Sequence, residues 1–366
     1  MRFFHPNARL PKRPELLAAV ESAAERVHDK LLALDIDRIG LSEYNQRRLG
    51  ESLGDLQVRL MVYTHLLVRS LAPLNKPLEE ATLLEYGGGP GLLSLLAREM
   101  GIGTVLYNDP YEVSCRDARL TAGALGLEAE AYIPGEVDET LEALRGSGVS
   151  CDVVASNNVI EHVYDARAFL HAMRRFSDGP LVVTHATTAN PLNPRVRWVT
   201  MKIHREREFH DRERAWGRKE TGTHRSYLQL RREMIRQAAP DLDEETVRRL
   251  ARLTRGLRRD DILEAVERHR RTREWPTPPK HPTNTCDPFT GSWAERLTRP
   301  AELTDWLGQA GFRASILPGY YSCARHPLKS RLCGFANRAI ALSGRLGMVL
   351  APYFLLHGVR GLEKGS

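Results

Sequence analysis

Residues 82–100 read TLLEYGGGPGLLSLLAREM and combine a strand, a turn and a helix. The run TLLEY is short and apolar, as in a buried strand, and LLSLLAREM has the apolar content and length of a packed helix. Glycines at 87, 89 and 91 suit a backbone that turns tightly and approaches a ligand closely. Because the first N–H groups of the following helix are free and carry partial positive charge, the unit predicts a ligand-binding turn.

The same alternation of strand and helix continues along the chain. Further strand-like runs are TVLY (104–107), EAEAYI (128–133), DVVAS (152–156) and LVVTH (181–185), each separated by a helical stretch. Strands this apolar predict an α/β fold, a doubly wound and mostly parallel sheet with helices on both faces. After an interruption the rhythm returns as a helix over 299–312 and a strand that begins RASIL.

Composition shifts predict five segments. They are a helical N-terminal layer (1–75), the ligand-binding core (76–190), a long helical insertion that forms a lid (191–298), a return of the core with a helix and the closing strands (299–326), and an apolar, basic tail (327–366).

The tail contains a 14-residue run, 346–359, in which only His357 could carry a charge. This run is too short to cross a bilayer unaided, which takes about 20 residues. It predicts a C-terminal helix packed on the N-terminal layer. Because arginines flank it within 331–360, an element that lies on a membrane surface is the alternative.

Charge is concentrated in one part of the chain. The net charge is +7, and residues 191–280 alone hold 24 Lys+Arg against 15 Asp+Glu. Such an excess could meet phosphate, anionic lipid or an acidic substrate, but the interleaved acids favour a salt-bridged helical surface.

Two further features of the sequence indicate the cellular compartment and the state of the cysteines. The N-terminus lacks the apolar stretch of a signal peptide, so we expect a cytoplasmic protein. The five cysteines form no CxxC pair, and we expect them to be reduced and to hold no zinc.

Two common phosphate-binding turns do not fit the glycine turn. No Lys-Ser/Thr pair follows the glycines, which excludes a P-loop. The dinucleotide fingerprint GxGxxG needs a glycine at position 92, where this chain has leucine.

The turn, E-x-G-x-G-x-G at 85–91, resembles instead the first motif of class I S-adenosylmethionine-dependent methyltransferases. Further matches follow in order: Asn108-Asp109 after the second strand, SNNVIEHV (156–163) after the fourth, a polar turn after LVVTH, and ELxxxLxxAGF at 302–312. The layout is most similar to the ubiquinone-biosynthesis O-methyltransferases, although this insertion and tail are much longer. The resemblance implies a seven-stranded Rossmann-like methyltransferase fold and S-adenosylmethionine as the cofactor.

Residue roles follow from the resemblance. The glycine backbone would hold the methionine part of the cofactor, helped by Glu85, and Asp109 would accept both ribose hydroxyls, a role that suits a carboxylate. Pro134 lies where the family contacts adenine, and Asn157 lies at the ligand-binding edge of the sheet. The predicted cofactor-binding set is Glu85, Tyr86, Gly87, Gly88, Gly89, Gly91, Asn108, Asp109, Pro134, Asn157 and Asn158.

Methyl transfer to a hydroxyl is helped by a general base, for which histidine is suited near neutral pH. His162 in the EHV segment and His185 at the end of LVVTH are the candidates. We expect no metal site, since His204 and His210 are six residues apart and would face about 240° apart on a helix.

The sequence does not identify the molecule that accepts the methyl group. The leading hypothesis is O-methylation of a small molecule or a glycan, with contacts from the insertion at Trp198, His204, His224, Arg225, Tyr227, Asn284 and Trp293. One alternative is an RNA modifier that uses the basic insertion, although few aromatic residues are interleaved for base stacking. Another is a lipid-linked acceptor at a membrane, contacted through 331–360. The sequence does not disclose the oligomeric state.

Overall fold

The computed structural model describes residues 2–5, 7–211, 225–322 and 327–362. Its centre is a seven-stranded sheet of order β3-β2-β1-β4-β5-β7-β6, in which β1 to β5 are parallel and β7 runs antiparallel to both neighbours. This confirms the doubly wound, mostly parallel sheet. The strands are β1 Thr82–Glu85, β2 Thr104–Asp109, β3 Ala131–Pro134, β4 Val153–Asn157, β5 Leu181–Thr187, β6 Arg313–Pro318 and β7 Phe354–Arg360.

Helices cover both faces of the sheet. They are α1 Pro14–Leu32, α2 Glu43–Gly54, α3 Leu56–Leu71, α4 Leu92–Glu99, α5 Glu112–Leu125, α6 Val137–Ser147, α7 Ala166–Ala172, α8 Pro194–Phe209, α9 Tyr227–Ala238, α10 Glu244–Leu253, α11 Arg259–Thr272, α12 Pro300–Gln309, α13 Pro327–Leu342 and α14 Gly347–Leu350. Side chains of β5 alternate between two buried clusters: Val182 packs with α1, α3 and α4, and Val183 packs with α7 and α12. The sheet is therefore buried on both sides, as apolar strands require.

In the N-terminal layer, apolar residues recur at helical spacing over 14–34 and 53–71, and this predicts α1 and α3. The layer also holds one helix that the periodicity missed. That helix, α2, is mostly polar and buries only Asn45, Leu49 and Ser52. An apolar stripe is the usual sequence signal of a helix, and α2 carries almost none.

The insertion has a core of its own, built by α9, α10 and α11 around residues that include Ile235, Leu250 and Ile262. A buried ion pair between Arg231 and Glu208 joins α9 to α8, and neither side chain reaches solvent. Arg231 also donates through Nε to the carbonyl of Ala251 at 2.9 Å. The insertion is thus a packed helical unit. The proline-rich run 275–288 predicts an extended connector, and it contains no helix.

The tail differs from what its sequence predicted. We expected both closing strands within 299–326, but that range holds only β6. The run 346–359 was predicted to pack as a helix or to lie on a membrane, and it forms the short α14 followed by β7, which pairs with β5 and β6. A strand buried on both faces is apolar throughout, so its periodicity does not distinguish it from a buried helix.

Two further findings concern the tail and the rest of the described residues. Cys333 is disulfide-bonded, which corrects the expectation that all cysteines are reduced. Within the described ranges, no helix is both long and apolar enough to span a membrane.

Candidate cofactor and acceptor site

The glycine turn lies at the carboxyl end of β1 and requires glycine. Gly87, Gly89 and Gly91 have φ of 67°, 52° and 75°, a region that side chains disfavour. At Gly88 the constraint is space, because a Cβ there would lie 2.4 Å from Cε2 of Tyr107. The Tyr107 hydroxyl donates to the carbonyl of Gly89 at 2.7 Å, which fixes the turn against β2.

Asn108 and Asp109 end β2 beside this turn, and both are fully buried. Asp109 accepts the Gly89 N–H through Oδ2 and the Tyr111 N–H through Oδ1, both at 3.1 Å. Asn108 accepts the Gly87 N–H at 3.3 Å, and its Nδ2 donates within β3 and to the loop after it. Asp109 thus places a carboxylate at the turn, whereas the amide of Asn108 is used to join β2, β3 and the turn.

Glu85 faces the helix that follows the turn. Its Oε2 accepts from the backbone N–H of Ser94 at 2.8 Å and from the Ser94 hydroxyl at 2.5 Å, both in α4. Burial raises the pKa of Glu85 to about 7. Glu85 therefore positions the loop by fixing the first turn of α4.

Tyr63 of α3 belongs to this site and was missed as a functional residue. Its hydroxyl is hydrogen-bonded to the side chain of Asn157 and lies in the field of Glu85, and burial raises the pKa of Tyr63 to about 12. The sequence marks Tyr63 only as a core position of a helix. The one usable signal was that a buried tyrosine hydroxyl needs a partner.

The remaining predicted cofactor residues differ in exposure. Tyr86 is buried and packs on Phe169 with ring centroids 5.2 Å apart. Asn158 is exposed with φ of 56°, and its Oδ1 accepts the Thr188 N–H at 3.0 Å, joining the ends of β4 and β5. Pro134 is exposed at the end of β3.

The EHV segment is clamped to the end of the insertion. His162 donates through Nδ1 to the carbonyl of Trp293 at 2.8 Å, and the Trp293 N–H donates to the carbonyl of His162 at 3.0 Å. The Trp293 indole N–H donates to the carbonyl of Tyr164 at 3.0 Å. His162 is therefore oriented by the insertion at the end of β4, where the family resemblance placed it.

The surroundings of the second base candidate, His185, do not favour that role. The ring is fully buried within β5, bonded to the Ser156 hydroxyl at 2.7 Å and packed on Phe169. Burial lowers the pKa of His185 to about 3, so the ring does not take up a proton near neutral pH. The His185 side chain packs in the core between the sheet and α7.

Glu161 is a better placed acid–base group, which the sequence marks only as part of the EHV motif. It lines a small cavity at the carboxyl ends of β4 and β5, together with Arg296 and Thr187. Within the described part of the chain, Oε2 of Glu161 and Nη1 of Arg296 are buried without a hydrogen-bond partner. Burial raises the pKa of Glu161 to about 8.

A second small cavity lies between α2 and the glycine turn, at Asn45, Leu49 and Gly89. Asp117 of α5 holds α2 there by accepting from the Ser42 N–H at 3.0 Å and from Asn45 Nδ2 at 2.8 Å. The helix that periodicity missed therefore covers the turn.

The predicted acceptor contacts are mostly engaged within the insertion. His204 bonds the carbonyl of Glu295 at 2.6 Å, Arg225 pairs with Glu233, and Asn284 donates to the carbonyl of Pro279 at 3.1 Å. Tyr227 is buried at the start of α9, and Trp198 is exposed on α8. His224 lies outside the described residues. Of the seven, only Trp293 is seen to contact the EHV segment in the described ranges.

Five histidines whose pKa values are lowered by desolvation make the protein sensitive to acid. Desolvation lowers the pKa of His65 and His185 to about 3, and that of His5, His204 and His357 to about 4. In the unfolded chain the pKa of these histidines returns to about 6.5. Below that pH the unfolded chain therefore binds more protons than the folded chain. The stability that the neutral histidines contribute is therefore present above pH 6.5 and lost as the pH falls towards 4.

Two buried carboxyls act in the opposite direction. The raised pKa values of Glu85 and Glu161 stabilise the fold below about pH 4.5, and this contribution is lost as the pH rises through 7 and 8. We expect the thermal midpoint to peak near pH 6.5 and to fall more steeply on the acid side, as measured by differential scanning fluorimetry. A flat profile between pH 4.5 and 6.5 would contradict this expectation.

Comparisons with known proteins agree with the motif order. Residues 59–238 match a family model described as "Methyltransferase domain". The chain is 37% identical over 95 residues to a ubiquinone biosynthesis O-methyltransferase of Methylobacterium nodulans, covering 26% of this chain and 35% of that protein. It is 38% identical over 109 residues to the protein of the same name in Paramagnetospirillum magneticum, covering 29% of this chain and 40% of the relative. The chain thus spans less than half the length of these relatives.

Similarity to solved structures is weak. An O-methyltransferase family protein from Burkholderia thailandensis is 12% identical with a TM-score of 0.34, over 95% of this chain and 73% of that chain. A methyltransferase from Archaeoglobus fulgidus has the same identity of 12% and TM-score of 0.34, over 77% of this chain and 86% of that one. The family model and the ordered motifs carry the assignment: residues 59–238 of this chain are a methyltransferase domain of the S-adenosylmethionine-dependent class.

Proposed function

We propose that this protein transfers a methyl group from S-adenosylmethionine to a hydroxyl of a small molecule or a glycan. The observation that carries the proposal is the glycine turn with a carboxylate at its edge, where Asp109 lies 3.1 Å from the Gly89 nitrogen. Backbone N–H groups suit the carboxylate of the methionine part, and a buried carboxylate suits a ribose diol.

The bound cofactor supplies an electrophilic methyl group. The protein must place the acceptor oxygen in line with it, exclude water and receive the proton of the hydroxyl. Two groups at the ends of β4 and β5 are suited to receiving this proton. One is His162, oriented by the Trp293 carbonyl, and the other is Glu161, whose pKa of about 8 matches a base working near neutral pH. The acceptor hydroxyl would donate to one of them as the new C–O bond forms.

Oxygen is favoured as the acceptor atom because the similar curated proteins are O-methyltransferases. The acceptor of these relatives is not carried over to this chain, because the matches cover only 26% and 29% of it. A hydroxyl of a small molecule or a glycan is therefore the class that we propose.

RNA is a weaker alternative, because several arginines of the insertion are paired with carboxylates. Glu244 pairs with Arg232, Arg236 and Arg248. Further along, Arg268 pairs with Glu264, and Arg270 pairs with Glu267. Arginines held by carboxylates release fewer counterions on binding phosphate, which weakens the main source of affinity for nucleic acid.

An amphipathic acceptor held at a membrane surface is the second candidate. It is favoured by the position of α14, whose Met348 carbonyl accepts from Asn190 Nδ2 at 2.8 Å just after β5. The protein would then contact the membrane peripherally through residues 331–350, since 354–360 lie inside the sheet.

Calorimetry with S-adenosylhomocysteine tests the cofactor site directly. We expect heat release and a raised thermal midpoint, followed by transfer of labelled methyl groups to a panel of hydroxyl compounds and not to their amine analogues. Glu161→Gln and His162→Gln should keep the affinity for S-adenosylhomocysteine while at least one of them lowers turnover. Absence of both heat and thermal protection would overturn the proposal.

A further inference from the structure

Exposed apolar side chains are concentrated in one region. Of the fourteen large apolar side chains that are exposed in the described part of the chain, ten lie within 192–201 and 332–350. They are Leu192, Trp198, Val199, Met201, Leu332, Phe335, Leu342, Leu346, Val349 and Leu350. Isolated exposed leucines are ordinary, but a concentration of this kind marks an interaction surface.

The same region has charge of one sign. Every acidic or basic residue within 190–205 and 327–362 is basic, including Arg195, Arg197, Lys202, Arg331 and Arg338. Runs of basic residues without acids occur elsewhere, as in 246–259, but only these two segments combine them with the concentration of exposed apolar side chains in the described ranges. We call residues 192–202 together with 331–350 the apolar–basic surface.

The two segments lie side by side. Asn193, which caps α8, donates through Nδ2 to the carbonyls of Leu350 and Ala351 at 3.1 Å. The same nitrogen lies 3.3 Å from the Tyr321 hydroxyl, and Tyr321 is held by two hydrogen bonds to Asn337 of α13. The start of α8, the end of α14 and α13 are thus tied together.

On α13 the apolar and basic groups share one face. At 100° per residue, Leu332, Phe335 and Leu342 fall within an arc of about 80°, and Arg331 and Arg338 lie beside it, about 20° and 40° from its edge. The three apolar side chains are 70–73% exposed. A helix with leucine, phenylalanine and arginine on its outer face, and no acid, is typical of elements that lie in a membrane interface.

We propose that the apolar–basic surface docks this protein onto an anionic lipid bilayer. The apolar side chains would enter the headgroup boundary, and the arginines would bind lipid phosphates. A second copy of this chain fits less well, because a surface whose charges are all basic would face its own charge across a symmetric interface.

Docking would place the bilayer next to the proposed acceptor site. Asn190 and Ala351 adjoin this surface, and their near neighbours Ala189 and Phe354 line the cavity that holds Glu161. Resting on the proposed function, this arrangement favours an acceptor that partitions into the membrane and reaches the site without crossing bulk water.

Flotation of the full chain with vesicles tests the docking. We expect binding to vesicles that contain phosphatidylglycerol, much weaker binding to phosphatidylcholine alone, and loss of binding as salt is raised. Arg331→Gln with Arg338→Gln should weaken binding roughly 30-fold, since each basic residue near an anionic surface contributes about fivefold. Phe335→Ser with Leu342→Ser should weaken it roughly tenfold or more.

Matched controls lie elsewhere on the chain. Leu32→Ser removes a leucine of α1 that is 56% exposed, and Arg248→Gln with Arg252→Gln removes two exposed arginines of α10; both should bind vesicles like the unaltered protein. Binding of S-adenosylhomocysteine by all variants, measured by calorimetry, separates a failure of docking from a failure of the proposed activity.

Three results would overturn the docking. One is binding to neither vesicle type. Another is a dimer by light scattering that only the Phe335 and Leu342 variants convert to a monomer, without vesicle binding. The third is salt-sensitive binding of single-stranded RNA that needs Arg331 and Arg338 while vesicles are not bound.

Discussion

Asp109→Ala is expected to weaken the binding of S-adenosylhomocysteine roughly 10- to 100-fold. Hydrogen bonds to a charged group contribute about 1.5–3 kcal/mol, and the carboxylate would accept from both ribose hydroxyls. The side chain is fully buried at the turn, where little water competes for it. Isothermal titration calorimetry measures the change in affinity.

The variant could also disturb the turn, because Asp109 accepts the Gly89 and Tyr111 N–H groups. Asp109→Asn separates the two effects. The amide oxygen still accepts one backbone N–H, but the amide nitrogen is a donor, so the side chain cannot accept from both ribose hydroxyls. We expect an affinity between those of Asp109→Ala and the unaltered protein, with a near-normal thermal midpoint. Asp138→Ala, an exposed acid on α6, should bind normally. Unchanged affinity in Asp109→Ala would refute the assigned role.

Periodicity predicted the parts of the fold in which local sequence and burial agree. The strands β1 to β6 begin within three residues of the apolar runs that predicted them, and α12 lies within the range 299–312 that was predicted for it. Periodicity failed to predict β7, because a strand buried on both faces is as apolar as a buried helix. The two differ only in the elements that they pair with. Periodicity failed for α2, because that helix is held by Asp117 and not by an apolar stripe.

At the site, motif order predicted where groups lie but not how each is used. Glu85 and Asn108 lie at the turn as expected, but their side chains form hydrogen bonds to α4 and β3, respectively. His185 ends a strand in the sequence, but β5 continues to Thr187, so the ring stays inside the sheet. Tyr63 and Arg296 come from segments remote in sequence, and only tertiary packing brings them to the carboxyl edge.

Arg231→Ala is expected to destabilise the insertion by about 3–5 kcal/mol. The variant leaves the Glu208 carboxylate buried with Arg255 as its remaining cation, 3.6 Å away, and also removes the bond to the Ala251 carbonyl. An unpaired buried charge is costly because the protein interior solvates it poorly. Urea unfolding followed by tryptophan fluorescence and circular dichroism measures the loss.

Arg232→Ala is the matched control, since Arg232 is the next residue of α9 and pairs with Glu244 at the surface. Exposed pairs contribute about 0–1 kcal/mol, so this variant should unfold almost like the unaltered protein. The double variant Arg231→Met with Glu208→Leu should recover much of the stability, because it removes both charges together and keeps side chains to fill the space. Equal effects of Arg231→Ala and Arg232→Ala would show that the buried pair does not hold the insertion.

Arg231→Ala is also expected to lower turnover more than cofactor affinity. The reason is that α8 bonds the carbonyl of Glu295 through His204, and Trp293, two residues before Glu295, orients His162.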